Sequence, residues 1–197
     1  MISNGKFYES QFEEATIELL REAHWQYAFG DDIHRKYTDP LIEEDLRNFL
    51  TVQYKDKNLT TSEMDSIVAN LRNTGGQNDY YALRNAFLLY RDGYDFAYSD
   101  GRDNPFRLEY IDFEHPDHNI FRCVNQFVME QGRENRRPDI LLFINGIPVC
   151  IIELKNPTKQ NATIHDAHTQ ICTRYMRDIP ALLKYCALAV ISDGAKN

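Results

Sequence analysis

Two acids and a lysine stand in a part of this chain that is otherwise apolar. Arg137-Pro138-Asp139 leads into a hydrophobic run to Ile144, and a second run from Ile147 carries Glu153-Leu154-Lys155 at its end. Charges inside strand-like sequence are expensive to bury unless they are paired or hold a metal. Two carboxylates able to converge on one divalent cation, with an ammonium beside them, are the minimum equipment for hydrolysing a phosphodiester. The ion polarises a phosphoryl oxygen and lowers the pKa of a bound water.

The spacing assigns roles. Residues two apart on a strand share a face, so Glu153 and Lys155 point together while Leu154 points to the opposite, apolar side. Glu153 is then a metal ligand, and Lys155 positions or activates the attacking water or screens charge on the phosphorane. The Leu154 carbonyl is a third possible ligand. Magnesium takes oxygen ligands and keeps several waters, so two carboxylates and a carbonyl suffice.

Whether Asp139 joins them depends on hairpin register. A two-residue loop Asn145-Gly146 pairs Ile144 with Ile147 and sets Asp139 opposite Ile152, on the wrong face. A three-residue loop with Gly146 left-handed sets it opposite Ile151, one diagonal step of roughly 7–8 Å from Glu153. The shared-ion reading therefore predicts an odd-length loop or a bulge. The bland alternative is that Asp139 caps a turn after Pro138 and Glu153–Lys155 is a surface pair at a strand end.

The elements that must hold these residues are an α/β (α+β) set: a mixed central β-sheet flanked by helices, with a helical N-terminal half. Over residues 1–105 the helical period dominates. Glu9 to Tyr27 carries the stripe Phe12, Ala15, Leu19 and Ala23 and stops near Gly30. Leu41–Val52 follows Pro40, Thr60 to Glu63 reads as a capping box before Met64–Leu71, and Asp79–Tyr90 ends ahead of Gly93. From Phe106 the period changes to two. Phe106–Phe113, Ile120–Met129, Asp139–Ile144 and Ile147–Lys155 read as strands, the last ended by Asn156-Pro157. Ile164–Arg177 reads as helix, Pro180–Tyr185 as a short helical turn and Ala187–Ser192 as a final buried strand. The division is a mainly helical 1–105 and a catalytic 106–197 within one domain.

Composition narrows the class. The 197 residues, 43% hydrophobic and 26% charged, are ordinary for a soluble domain. No run reaches the roughly 18 apolar residues of a membrane span, and Met1 to Lys6 lacks a signal-peptide core, so a cytoplasmic location with no membrane partner is expected. Cys123, Cys150, Cys172 and Cys186 stand singly and read as reduced, buried packing residues. His115/His118 and His165/His168 are HxxH pairs, but neither has the cysteine or acidic partners of a known zinc pattern. A net charge of −8 opposes tight independent binding of duplex DNA, whose nonspecific affinity comes from phosphate neutralisation. Something else must deliver the DNA.

Several motifs together resemble a known family. Asn125-Gln126-Phe127, Arg137-Pro138-Asp139, Asn145-Gly146-Ile147-Pro148, Glu153-Leu154-Lys155, Gln170 with Tyr175, and the stretch from Arg177 to Gly194 are similar to the N-terminal nuclease domain of the restriction (R) subunit of type I restriction-modification enzymes. That domain belongs to the PD-(D/E)xK nuclease superfamily. The likeness is strongest over about 106–194, and Phe12 to Leu20 is similar to the family's opening helix.

The resemblance implies a PD-(D/E)xK restriction-endonuclease-like core in which Asp139 and Glu153 bind metal and Lys155 is catalytic. Glu14 matches an acid that the superfamily often places on its first helix, with Glu13 a close rival. Gln170 and Tyr175 resemble a glutamine–tyrosine motif, but five residues on an α-helix leaves them about 140° apart. Either the helix is irregular there or only one reaches the site. The implied activity is Mg2+-dependent cleavage of double-stranded DNA (Mn2+ substituting), without sequence choice of its own. Implied partners are methylation and specificity subunits and ATP-driven motor domains of the same subunit. No GxxxxGK[ST] loop occurs, so ATP would be used outside these residues, and the chain reads as the front of a longer subunit. The alternatives are a catalytically silent nuclease-fold docking module and a stand-alone repair or junction nuclease.

Overall fold

The computed structural model describes residues 9–155 and 164–192. Asn156-Pro157 and Gly194, which figured in the sequence reading, lie outside the described residues. The first half contains α1 (Glu9–Glu22), β1 (Gln26–Phe29), α2 (Glu43–Gln53), α3 (Thr61–Asn73), α4 (Asp79–Asp92) and β2 (Tyr94–Phe96). Then follow β3 (Phe106–Leu108), β4 (Phe121–Asn125), β5 (Met129–Gln131), β6 (Glu134–Arg136), β7 (Ile140–Ile144) and β8 (Ile147–Leu154). The chain closes with α5 (Ile164–Thr169), a π-helical segment (Gln170–Tyr175), α6 (Met176–Asp178), α7 (Pro180–Leu183) and β9 (Leu188–Ser192).

Five strands form one sheet in the order β1-β4-β7-β8-β9. β1 runs parallel to β4 and β9 parallel to β8, while β4–β7 and β7–β8 are antiparallel. This is the expected mixed sheet with helices on both faces. On one face Leu141, Phe143 and Ile151 pack with Ile171, Tyr175 and Leu182. On the other, Ile17 of α1 covers Ile140, Cys150, Ile152 and Leu154. A third cluster joins Leu50 and Ile67 of the helical half to Ile147 and Tyr185.

Several expected elements are shorter, or of a different kind. The helix from Glu9 does not reach Tyr27. It ends in a Schellman arrangement in which Trp25 N–H bonds Leu20 O and His24 N–H bonds Arg21 O, with His24 at φ 68°. Histidine rather than glycine takes the left-handed position, so the usual stop signal is missing. The next residues form β1, and the Trp25 ring meets Phe121 edge-on with centroids 5.2 Å apart. Phe106–Phe113 is strand only to Leu108. Ile120–Met129 breaks at Gln126, whose φ of 55° turns the chain out of β4. The hairpin β5–β6 and strand β2 were not read from the sequence. β9 is an exposed edge rather than a buried strand, with Leu188 and Val190 facing solvent. All four cysteines are free, but Cys172 is exposed while the other three are buried. The capping box is present as read: Glu63 N–H bonds Thr60 Oγ1 and Thr60 N–H bonds the Glu63 carboxylate. Among the described residues no helix is long and apolar enough to cross a membrane.

The β7–β8 hairpin decides the site. Its loop has two residues, Asn145 and Gly146, both with positive φ (50° and 75°), and Ile144 pairs with Ile147. The odd-length loop is therefore absent. Phe143 pairs with Pro148, but Leu142 pairs with Cys150, so Val149 is an extra residue on β8 and the register shifts at a bulge. Beyond it Leu141 opposes Ile151 and Ile140 opposes Ile152. Pro148 explains the position. It has no N–H to donate, and in an interior strand such a residue belongs at a bulge.

Candidate active site

Carried one residue past Ile140, the shifted register sets Asp139 opposite Glu153 rather than Ile151. Asp139 is a bend residue just before β7, close enough that its negative charge acts on Glu153, which follows Ile151 by two on the same face. Asp139 Oδ2 accepts the Leu154 N–H at 2.8 Å, and its carbonyl accepts the Gln126 N–H at 3.3 Å. Lys155 Nζ lies 3.4 Å from Glu153 Oε2, so the pair does share a face. The surface-pair alternative fails, because Glu153 is 0% exposed and the Lys155 side chain only 12%.

Gln170 and Tyr175 both close on Glu153. Gln170 Nε2 donates to Glu153 Oε2 at 2.8 Å and to the Tyr175 hydroxyl at 2.7 Å, and that hydroxyl donates to Glu153 Oε1 at 2.8 Å. The helix is irregular in the way their spacing demanded. In a π-helix the hydrogen bonds run i to i+5, so residues five apart return to nearly the same face. Ile171 and Tyr175 are buried along that segment.

Electrostatics set Glu153 apart. Burial, and then the negative charge of Asp139, push its carboxyl from an ordinary 4.5 up to about 7, against the lowering effect of Tyr175 and Lys155. The Tyr175 phenol is pushed upward by burial and by Glu153, which keeps it a neutral donor. A raised acid pKa makes the folded state hold the proton more tightly than the unfolded state. Glu153 therefore contributes stability in full below about 4.5, and that contribution is lost as pH rises through about 7. In metal-free buffer Glu153→Gln should remove this decline. Urea midpoints measured across that window check it, and an unchanged slope in the variant would contradict it.

Helix α1 presents two acids. Glu13 accepts from Asn125 Nδ2 at 2.8 Å and from Gln126 Nε2 at 3.2 Å, at the end of β4 beside Asp139. Glu14 is exposed, and both acids line an open cleft of about 350 Å³ with Tyr27 and Asn125. Gln126 thus holds Glu13 with its side chain and Asp139 with its backbone, from a left-handed conformation. A Cβ on Gly30 would come within 2.4 Å of the Gln126 carbonyl oxygen, so glycine is needed behind it. Asn125 and Gln126 entered the sequence reading only through the family likeness. Nothing in their types announces a positive φ.

The donor set suits a hard divalent ion. Asp139, Glu153 and the Leu154 carbonyl are all oxygen donors, as Mg2+ or Mn2+ prefers. A carboxylate offers about four lone-pair directions. Glu153 receives Tyr175 at Oε1 and both Gln170 and Lys155 at Oε2, which leaves a direction at Oε1. A cation there would offset the burial and the neighbouring Asp139 charge that hold its pKa high.

Comparison with known proteins shows the family. The family model for the type I restriction enzyme R protein N terminus matches residues 6–197. The type I restriction enzyme HindI endonuclease subunit of Haemophilus influenzae is 29% identical over 196 residues, covering 94% of this chain and 18% of that protein. A Methanocaldococcus jannaschii relative with a provisional name, type I restriction enzyme MjaIXP endonuclease subunit, is 32% identical over 193 residues with the same coverages. The EcoprrI endonuclease subunit of Escherichia coli is 33% identical over 105 residues, 51% of this chain and 31% of that protein. The chain thus spans 18% of the length of the first two relatives.

Proposed function

Because this chain belongs to the type I restriction enzyme R protein N-terminal family, we propose that it is the Mg2+-dependent endonuclease domain of such an enzyme, hydrolysing double-stranded DNA without sequence choice. The observation that carries the reading is the β8 bulge, whose shifted register, continued one residue past Ile140, supports setting Asp139 opposite Glu153. The alternation of the strand would otherwise keep the two acids apart.

Asp139 and Glu153, with the Leu154 carbonyl, hold the ion. Bound there, magnesium supplies Lewis-acid polarisation of a phosphoryl oxygen and lowers the pKa of a coordinated water. Lys155, whose ammonium sits against Glu153, positions the attacking water and screens charge on the phosphorane. Gln170 and Tyr175 fix the Glu153 carboxylate, and Glu13 or Glu14 supplies an acid from the first helix. The −8 charge fits a cutter whose DNA is delivered by others. Those partners are ATP-driven motor domains of the same subunit and the methylation and specificity subunits, working in the cytoplasm.

Ion binding tests the reading. Calorimetric titration of the chain with Mn2+ should show binding that Asp139→Asn and Glu153→Gln each abolish. No binding by the wild type, as a silent docking module would give, would refute the proposal. Removing an outer partner of a ligand typically lowers metal affinity or activity about 10–100-fold. Tyr175→Phe should therefore reduce cleavage by about that factor in the assembled enzyme, with the protein still folded. Full activity in a nicking assay would deny Tyr175 a part in orienting Glu153.

A further inference from the structure

We propose that Asp112, His115 and His118 form a second metal site, one that takes a transition ion of the zinc type rather than magnesium. The three residues lie in the connection between β3 and β4, where Pro116–His118 makes a turn of 3-10 helix. Asp112 Oδ2 is 3.0 Å from His118 Nδ1 and 3.6 Å from His115 Nδ1. The two rings stack with centroids 5.0 Å apart and planes 20° from parallel. One ligand atom from each residue falls within 4.8 Å of the other two. A tetrahedral ion about 2.0–2.1 Å from its ligands has ligand–ligand edges of about 3.3–3.4 Å, and the two oxygen–nitrogen spacings bracket that value.

The carboxylate is held from behind. Asp112 is buried, its Oδ1 accepts the His115 N–H at 2.8 Å, and Gln53 Nε2 donates to Oδ2 at 3.1 Å. Asn119 clamps the backbone on both sides, accepting from Asp112 N–H at 2.9 Å and donating to Asp112 O at 2.7 Å. Such support fixes a ligand before the ion arrives. The imidazoles are exposed, so a fourth position opens to water. Two nitrogens and one oxygen favour zinc, cobalt or nickel, whereas magnesium prefers an all-oxygen shell. With no ion bound, the carboxylate accepts an Nδ1–H. On binding, the neutral ring takes its other tautomer: its single N–H moves by way of water from Nδ1 to Nε2, which frees the Nδ1 lone pair for the ion.

The acid missing from the sequence pattern is thus Asp112, three residues before His115. The site is separate from the nuclease centre. Asn119 Oδ1 accepts from Asn145 at the β7–β8 turn, whereas Asp139 stands at the far end of β7, about 20 Å away at the rise of a strand.

Cobalt serves as a spectroscopic probe. Titrating the chain with Co2+ in excess Mg2+ should give one equivalent of tight binding with visible d–d absorption, displaced by Zn2+. Asp139→Asn/Glu153→Gln should bind Co2+ as the wild type does, and His115→Ala and His118→Ala should each bind at least ~10-fold more weakly. Both histidines are exposed, so thermal melts of these variants should match the wild type. Absence of Co2+ absorption, undiminished binding by the His115→Ala/His118→Ala double variant, or loss confined to Asp139→Asn/Glu153→Gln would each overturn the proposal.

Discussion

In the full restriction assembly, Glu153→Ala and Lys155→Ala are each expected to abolish DNA cleavage while ATP-driven translocation continues. Losing a single preorganised group that acts on developing charge typically lowers a rate by about 10²–10³. Glu153 should stand above that range as the proposed metal ligand, so cleavage by Glu153→Ala should fall by roughly 10³ or more. The alanine would leave only Asp139 of the two proposed carboxylate ligands and strips Gln170 and Tyr175 of their shared acceptor. Lys155→Ala acts differently, removing the ammonium that lies 3.4 Å from Glu153 Oε2 and so the positive charge that eases the repulsion between Glu153 and Asp139. Cleavage and translocation can be read separately on one DNA substrate, because no phosphate-binding loop lies in these residues. Cutting retained by either variant, in an assembly that still translocates, would remove the assignment.

How far this site could be read in advance varied with the range of the forces involved. The Glu153–Lys155 face follows from strand periodicity alone, and the Thr60–Glu63 cap from local hydrogen-bonding chemistry. Register parity went further, demanding an odd loop or a bulge without saying which. Asn145-Gly146 favours a two-residue turn, and Pro148 in an interior strand marks where the extra residue must fall, so the sequence contained the answer in two separate signals. The π-helical turn did not show itself in the same way. Its signal was negative, a glutamine and a tyrosine at a spacing an α-helix cannot bring together, and only the geometry at Glu153 resolves it. Strand β1 was hidden because a left-handed His24 ends the helix where no glycine stands. The contacts that set Glu13 apart from its rival Glu14 were equally hidden, since its partners Asn125 and Gln126 lie more than a hundred residues away.

The same register makes a remote turn residue critical. Gly146→Ala should destabilise the fold by about 3–5 kcal/mol, well outside the usual range for a single methyl group. Gly146 has φ 75°, which costs an alanine about 1–2 kcal/mol before any contact is counted. A Cβ there would also come within 2.1 Å of the Ile42 carbonyl oxygen and 3.1 Å of the Leu46 nitrogen. Both atoms are backbone at the start of α2, so no rotamer change can relieve the contact. Gly146 O in turn accepts the Ile42 N–H at 2.9 Å, an anchor that moving α2 would break. Its neighbour Asn145 is buried and pins the turn through Ile120 N, Tyr110 O and Asn119 Oδ1. Asn145→Gly keeps the turn conformation but loses those bonds, and should cost less, about 1–3 kcal/mol. For a domain of this size the Gly146→Ala loss corresponds to a melting temperature lower by about 10 °C. In the cold, where this variant remains folded, Mn2+ binding should also weaken, because the turn sets the pairing that the bulge converts into a shared face for Asp139 and Glu153. Asn145→Gly, with its register intact, should bind Mn2+ as the wild type does. A Gly146→Ala melt within about 2 °C of wild type would show that α2 yields to the extra methyl and that the turn does not govern the site.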